Sequence, residues 1–243
     1  MDYDENIGGQ IMKTVVVEPE FWELFPEGQI NLLELRGIDN HPVDSVTEFN
    51  ELLQNAEKDA QQFITADVFS ENEVVAQWRQ ALRKFKTKKG ARSSIEALLK
   101  RISQGHQFTS INPLVDFYNS VSMKYAVPTG GEDIDQIKGA MHLGLAQGGE
   151  SFWPLGAEED APALPGEMIY YDDEGAICRS LNWREAKRTM LTEQTQNAIL
   201  VMESVNEQQA QRATAAMNEL EQLTTKYFGV DATQLTLNKP EEN

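Results

Sequence analysis

Between Ile111 and Glu203 the chain sets polar side chains beside or inside short apolar runs: Asn112, Asp116, Asn119, Thr129, Glu132, Asp133, Arg179, Asn182, Arg184 and Glu203. Arg179, Asn182 and Arg184 together offer several hydrogen-bond donors to a carboxyl group, a ribose or a phosphate. Glu132 and Asp133 follow directly on Gly130 and Gly131, a pair that lets the backbone approach another group closely or take a positive φ. The single cysteine, Cys178, follows Ala176 and Ile177 in a strand-like run with no histidine near it, so it reads as a buried, inert thiol rather than a nucleophile. It also excludes an intramolecular disulfide and any multi-cysteine metal site. His41, His106 and His142 lie far apart without metal-ligand spacing, and no phosphate loop, nucleophile elbow or dinucleotide fingerprint is present. The sequence thus implies neither a metal nor a cofactor.

Strands are expected at Thr14–Val17 and Ile30–Leu35, as neighbours in one sheet. Helices follow from Asp44 as N-cap, over Glu71–Phe85, and after a Ser93 or Ser94 cap. A further helix starts at Asn112-Pro113, with Leu114, Val115, Tyr118, Val121 and Tyr125 on one side. VPTGGEDID reads as a turn-rich loop. Beyond Gly139 a strand meander runs through AMHLGLA, SFWPL, EMIYYDD and AICRS, with LNWRE as a polar loop after it. NAILVM is a buried strand ending on Glu203, and Asn206–Phe228 is one amphipathic helix. The pattern is α+β, a mixed β-sheet core packed with helices around a pocket. Residues 1–10 are expected to be disordered and 11–229 to form one domain, with 11–91 an N-terminal subregion and 92–229 the motif-bearing core. The segment 230–243 reads as a loose acidic tail.

With 243 residues, 40% of them hydrophobic, the chain can bury a proper core. No apolar run approaches a membrane span, and the acidic start differs from a signal peptide, so a cytoplasmic location is expected. The formal charge of −18 opposes non-specific nucleic-acid binding. Yet Arg79 to Arg101 holds nine basic residues against one acid, Glu96. The window reads either as a solvated helix face or as a patch for one phosphate backbone, with the KTKKGARSS loop before a helix N-terminus as the contact candidate.

INPLVDFYN, a Pro-led glycine segment, an Asp-Asp turn and T-x-N-A-hydrophobic-Glu together resemble the B3/B4 domain of the bacterial phenylalanyl-tRNA synthetase β subunit, and more closely the freestanding B3/B4 proteins. The resemblance spans about Arg92 to Phe228 and implies a B3/B4-like editing domain fold. It also implies the activity of an aminoacyl-tRNA hydrolase, which cleaves the ester of a mischarged tRNA in trans. The implied partner is the tRNA acceptor end, held by Lys88, Lys89 and Arg92, and no membrane is involved. Glu203 falls where the family senses the polar group of the wrong amino acid, and Asn119 where it has an Asn in the VDxxN helix. Asn119, Thr129, Gly130 and Gly131 become holders of water and oxyanion. Glu132 or Asp133 binds the substrate ammonium, or else both merely cap the next helix. Gly130 stands where the synthetase has His. CRSLNWRE replaces its Gly-rich segment with Arg179, Asn182, Trp183 and Arg184, so that a pocket filled by Trp183 and Arg179 would accept a smaller side chain. The alternative is a non-catalytic module that binds tRNA or an amino acid.

Overall fold

The structure, a computed structural model, describes residues 6–7, 10–43 and 45–241. In chain order the elements are β1 (Asn6–Ile7), β2 (Gln10–Ile11), β3 (Val15–Val17), α1 (Pro19–Leu24), β4 (Gln29–Arg36), α2 (Thr47–Ala60), α3 (Glu73–Leu82), α4 (Ser94–Ser103) and α5 (Pro113–Tyr125). There follow β5 (Thr129–Asp133), β6 (Met141–Leu145), β7 (Met168–Tyr171), β8 (Ala176–Arg179), β9 (Arg184–Glu185), β10 (Asn197–Ser204), α6 (Glu207–Phe228) and β11 (Ala232–Asn238). The fold is α+β.

Two sheets make the core. One is antiparallel, in the order β11-β4-β10-β5; the other is mixed, in the order β3-β6-β7-β8-β9, with β3 and β6 parallel. Ile199 and Val201 of β10 face the second sheet, where Met168, Tyr170 and Ile177 meet them in a cluster that also takes in Phe21 and Trp78. Leu200 and Met202, on the opposite face of the same strand, pack with Leu114 and Val121 of α5 and Met217 and Leu220 of α6. A strand buried on both faces must be apolar throughout, which is why NAILVM does not alternate.

Local signals set the helix starts. Ser93 Oγ accepts the Glu96 N–H at 3.2 Å, Asn112 Oδ1 the Val115 N–H at 3.0 Å, and Asn206 Oδ1 the Gln209 N–H at 2.9 Å. At α2 the Val46 position lacks a side-chain cap, and Asp44, the expected cap, lies outside the described residues.

Four expectations need correction. β3 and β4 are not sheet partners, because each pairs with a strand far along the chain. The TGGED segment is a strand rather than a loop, and neither glycine has a positive φ. SFWPL forms no strand beyond a single bridge at Pro154. The segment read as a loose tail is largely β11, whose alternating Thr and Leu residues cover the free edge of β4, with Leu235 opposite Leu32. Of the N-terminal stretch expected to be disordered, most lies outside the described residues; β1 and β2 within it pair antiparallel.

One buried ion pair ties β7 to β8. Glu167 is fully buried and Arg179 is 2% exposed. The guanidinium donates to both carboxylate oxygens through Nε, at 3.2 and 3.1 Å, and through a terminal nitrogen, while its other terminal nitrogen donates to Ala161 O at 2.7 Å. The same carboxylate accepts from Ser180 Oγ at 2.7 Å and from the Leu164 N–H at 3.2 Å. Removing one partner of such a pair strands a buried charge. Glu167→Ala is therefore expected to lower the unfolding free energy by about 3–5 kcal/mol in urea denaturation. A loss near zero would show the pair to be dispensable.

Candidate functional site

A cavity of about 200 Å³ lies where α4, α5, β5 and the β8–β9 hairpin meet. Helix α5 brings Tyr118 and Asn119 to it. Its start is pinned by the Asn112 cap and by the Leu114 N–H, which donates to Asn40 Oδ1 at 2.9 Å. Its end is an Ala126 with φ 51°, and the chain then turns into β5.

Strand β5 contributes Thr129, Gly130 and Glu132. A Cβ on Gly130 would stand 2.5 Å from Asn182 Oδ1, so the missing side chain is what lets Asn182 close in. On the opposite face, a Cβ on Gly131 would meet Leu200 and Leu191 at 2.6 and 2.7 Å. Glycine here serves close approach, one residue toward the cavity and the other toward the core.

The hairpin supplies Cys178, Asn182, Trp183, Arg184 and Glu185. Between its strands Ser180 and Leu181 have φ of 51° and 61°, a left-handed pair without glycine. The bond from Ser180 Oγ to Glu167 and the Leu181 N–H on Met168 O hold them there. Asn182 Nδ2 reaches Val201 O at 3.4 Å, and the Arg184 guanidinium sits 4.9 Å from the Trp183 ring centroid.

The electrostatics are unbalanced toward acid. Glu132 is 3% exposed; burial drives its carboxyl well above the ordinary range, the charge of Glu185 adds to this, and the Cys178 thiol, donating to Oε1 at 3.0 Å, offsets part of it. Among the described residues its Oε2 has no partner at hydrogen-bond distance, while Thr189 and the charge of Arg188 pull the carboxyl down by less than burial lifts it. Glu185 is exposed at its surface on β9, yet the protein packed around its carboxyl raises it to about 7 by desolvation. Burial, followed by the neighbouring Glu132 carboxyl, pushes the Cys178 thiol up, which disqualifies it as a nucleophile near neutral pH.

Seven expected site residues therefore share one cavity: Asn119, Thr129, Gly130, Glu132, Asn182, Trp183 and Arg184. Gly131, Asp133, Arg179 and Glu203 do not line it. Gly131 faces the core. Asp133 caps the short turn after β5 by accepting the Asp135 N–H at 3.0 Å, and it takes a hydrogen bond from Thr195 Oγ1, so the capping alternative describes it and not Glu132. Arg179 is spent on Glu167 and does not fill the pocket. Glu203, 1% exposed, lies behind Asn182; burial lifts it to about 8 against the smaller pull of the Tyr170 hydroxyl and the Asn182 backbone N–H, and its Oε1 has no hydrogen-bond partner among the described residues. The ladder also decides the glycine amides. Glu203 N–H bonds Pro128 O and Asp133 N–H bonds Thr189 O, so by alternation the Gly130 N–H points into β10 and not at a ligand.

Glu185, Tyr118 and Ser94 line the cavity without having been singled out. Glu185 stands inside the CRSLNWRE motif, but its raised carboxyl comes from surroundings that no local pattern encodes. A second cleft of about 450 Å³ adjoins the cavity and shares Tyr118, Trp183, Arg184 and Glu185 with it; Ile111 and Leu155, 63% and 70% exposed, line its walls. Across the first turn of α4 from the cavity lies a groove lined by Arg79, Arg83 and Arg92. Arg79 is paired with Glu96 at 2.7 Å. Lys88 and Lys89 are exposed on the adjoining loop without a side-chain partner among the described residues. No helix among the described residues is long and apolar enough to cross a membrane.

The raised Glu203 makes stability depend on pH. A folded carboxyl that titrates near 8 rather than 4.5 keeps its proton where the unfolded chain has lost it, so stability falls as pH rises through that window, by at most ~1.4 kcal/mol per pH unit. Glu203→Gln should flatten the decline in urea titrations between pH 5 and 8; an unchanged slope would assign the effect to other groups.

A family model described as the B3/4 domain matches residues 77–239. Among solved structures, the chain is similar to the crystal structure of an N-terminal fragment of the phenylalanyl-tRNA synthetase beta-subunit from Pyrococcus horikoshii, at 13% identity and a TM-score of 0.47. That likeness covers 93% of this chain and 54% of the other, so the chain spans about half the fragment's length. No curated protein matches the sequence.

Proposed function

The chain belongs to the B3/4 domain family, and from that premise we propose that it is a trans-acting aminoacyl-tRNA deacylase, hydrolysing the ester of a mischarged tRNA. The observation that carries this reading is a cavity lined by two carboxyls, Glu132 and Glu185, set across one helix turn from a basic groove. An aminoacyl-tRNA has the complementary charges. Its α-ammonium suits Glu132, and its phosphates suit Lys88, Lys89 and Arg92.

In the proposed reaction the ester carbonyl lies between Asn119 and Asn182, whose amide N–H groups stabilise the developing oxyanion. Glu185 takes a proton from water as its oxygen attacks the carbonyl carbon. The tetrahedral adduct then collapses, the bond to the ribose oxygen breaks, and Glu185 returns the proton to that oxygen. The products are a free amino acid and a deacylated tRNA. No protein nucleophile is needed, because the ester is already activated and positioning supplies much of the acceleration.

A second reading, a non-catalytic module binding tRNA or a free amino acid, is favoured by two features: no histidine lines the cavity among the described residues, and the Asn182 amide lies against Gly130. Deacylation of a panel of mischarged tRNAs decides between them. Turnover selects the hydrolase; tight binding without turnover selects the module.

A base at Glu185 makes kcat/KM rise with pH and level off above about 7, since only the ionised carboxylate accepts a proton. Glu185→Gln should lower kcat by roughly 10²–10⁴-fold and remove that inflection, as read in a single-turnover pH profile. A full rate in this variant would remove Glu185 from the mechanism.

A further inference from the structure

We propose that strand β11 is a self-association surface, on which the β11 of a second copy of this chain pairs antiparallel about a two-fold axis and joins the two four-stranded sheets into one.

Four strands end the two large sheets, and three of them are covered or short. Along β5 runs the segment that gives the Asp133 N–H its acceptor, Thr189 O, and bridges Glu132 to Met190. β9 has two residues, both charged, and β3 has three, followed at once by Glu18 and Pro19. The fourth, β11, has seven residues with no charge, proline or glycine among them, so it lacks the devices by which edge strands avoid pairing. Alternation across the sheet, counted from the bond between the Glu203 N–H and Pro128 O, directs Thr233, Leu235 and Leu237 to β4. It turns the N–H and C=O groups of Ala232, Gln234, Thr236 and Asn238 outward, where they have no backbone partner among the described residues.

The sequence of β11 fits a second β11. With the axis at Leu235, every outward residue finds another, Ala232 opposite Asn238 and Gln234 opposite Thr236, for about eight new backbone hydrogen bonds. Leu235 then meets Leu235 of the second copy, extending outward the contact it makes with Leu32 inside the sheet. The same register sets Asp231 opposite Lys239 at both ends of the ladder, with Pro240 just beyond to stop it. A chain with a charge of −18 repels its own copies, and an uncharged strand flanked by one residue of each sign is where that repulsion is least. β5, which lines the cavity, stands at the far end of the same sheet, so pairing leaves both cavities open.

Sedimentation velocity on the full chain, from about 1 to 200 µM, should show the mass pass from one chain to two, since so narrow an interface holds only weakly. Gln234→Pro removes an outward N–H from each copy and spares the β4 ladder. It should leave a single chain at every concentration, with a circular dichroism spectrum like the parent's. Asp231→Lys alone sets like charges together at both ends and should weaken the dimer about tenfold; adding Lys239→Asp should restore it. If the proline variant does not fold, the charge reversal and its rescue decide. A parent protein that stays a single chain at every concentration overturns the proposal and leaves the edge to a different partner or to none. A dimer indifferent to both substitutions in folded variants also overturns it, because the copies then meet elsewhere.

Discussion

The buried pair of Glu167 and Arg179 is the constraint on which the site depends. With both side chains all but sealed from solvent, each charge must be met by the other and by fixed donors or acceptors. Meeting that demand fixes the end of β8 against the start of β7. It also leaves one oxygen of Glu167 to hold Ser180, which with Leu181 adopts a left-handed turn that neither would choose alone. The turn delivers Asn182 and Trp183 to the cavity. Opposite them Gly130, with no Cβ, leaves the space that Asn182 enters. An ion pair with no surface on the cavity thus decides its shape.

The chemistry of the site follows from what the fold leaves unpaired. Glu132, Glu185 and Glu203 are all raised by desolvation, and the charge of Arg188, itself paired with Asp172, offsets only part of this at Glu132. Such groups reduce stability near neutral pH. Their cost is intelligible if a cationic ligand completes the charge balance. Arg184 does not serve, because its guanidinium lies over Trp183 at the cavity's edge.

Much of the fold was legible where the signal is local. Ser93, Asn112 and Asn206 announce α4, α5 and α6 because each cap bonds an amide three residues on. Strand β10 is evident from its unbroken apolar run. Sheet membership was not legible: the partner of β3 is β6, more than a hundred residues away, and no pattern in VVV names it. Gly130 and Gly131 misled toward a loop because glycine is poor in strands, and what keeps them in one is tertiary contact with Asn182, Leu191 and Leu200. The polar string from Asn119 to Arg184 did mark the cavity. Which members turn inward did not follow from it, since Arg179 finds Glu167 twelve residues earlier and points away.

One cavity must receive an aminoacyl group, and a crystal structure with a non-hydrolysable aminoacyl-adenosine amide tests that most directly. The α-ammonium is expected within ~3 Å of Glu132, the carbonyl oxygen between Asn119 and Asn182, and the turn at Ser180 and Leu181 unmoved. The ligand bound elsewhere, or a cavity that stays closed by Asn182 and Trp183 at saturating ligand, would contradict it.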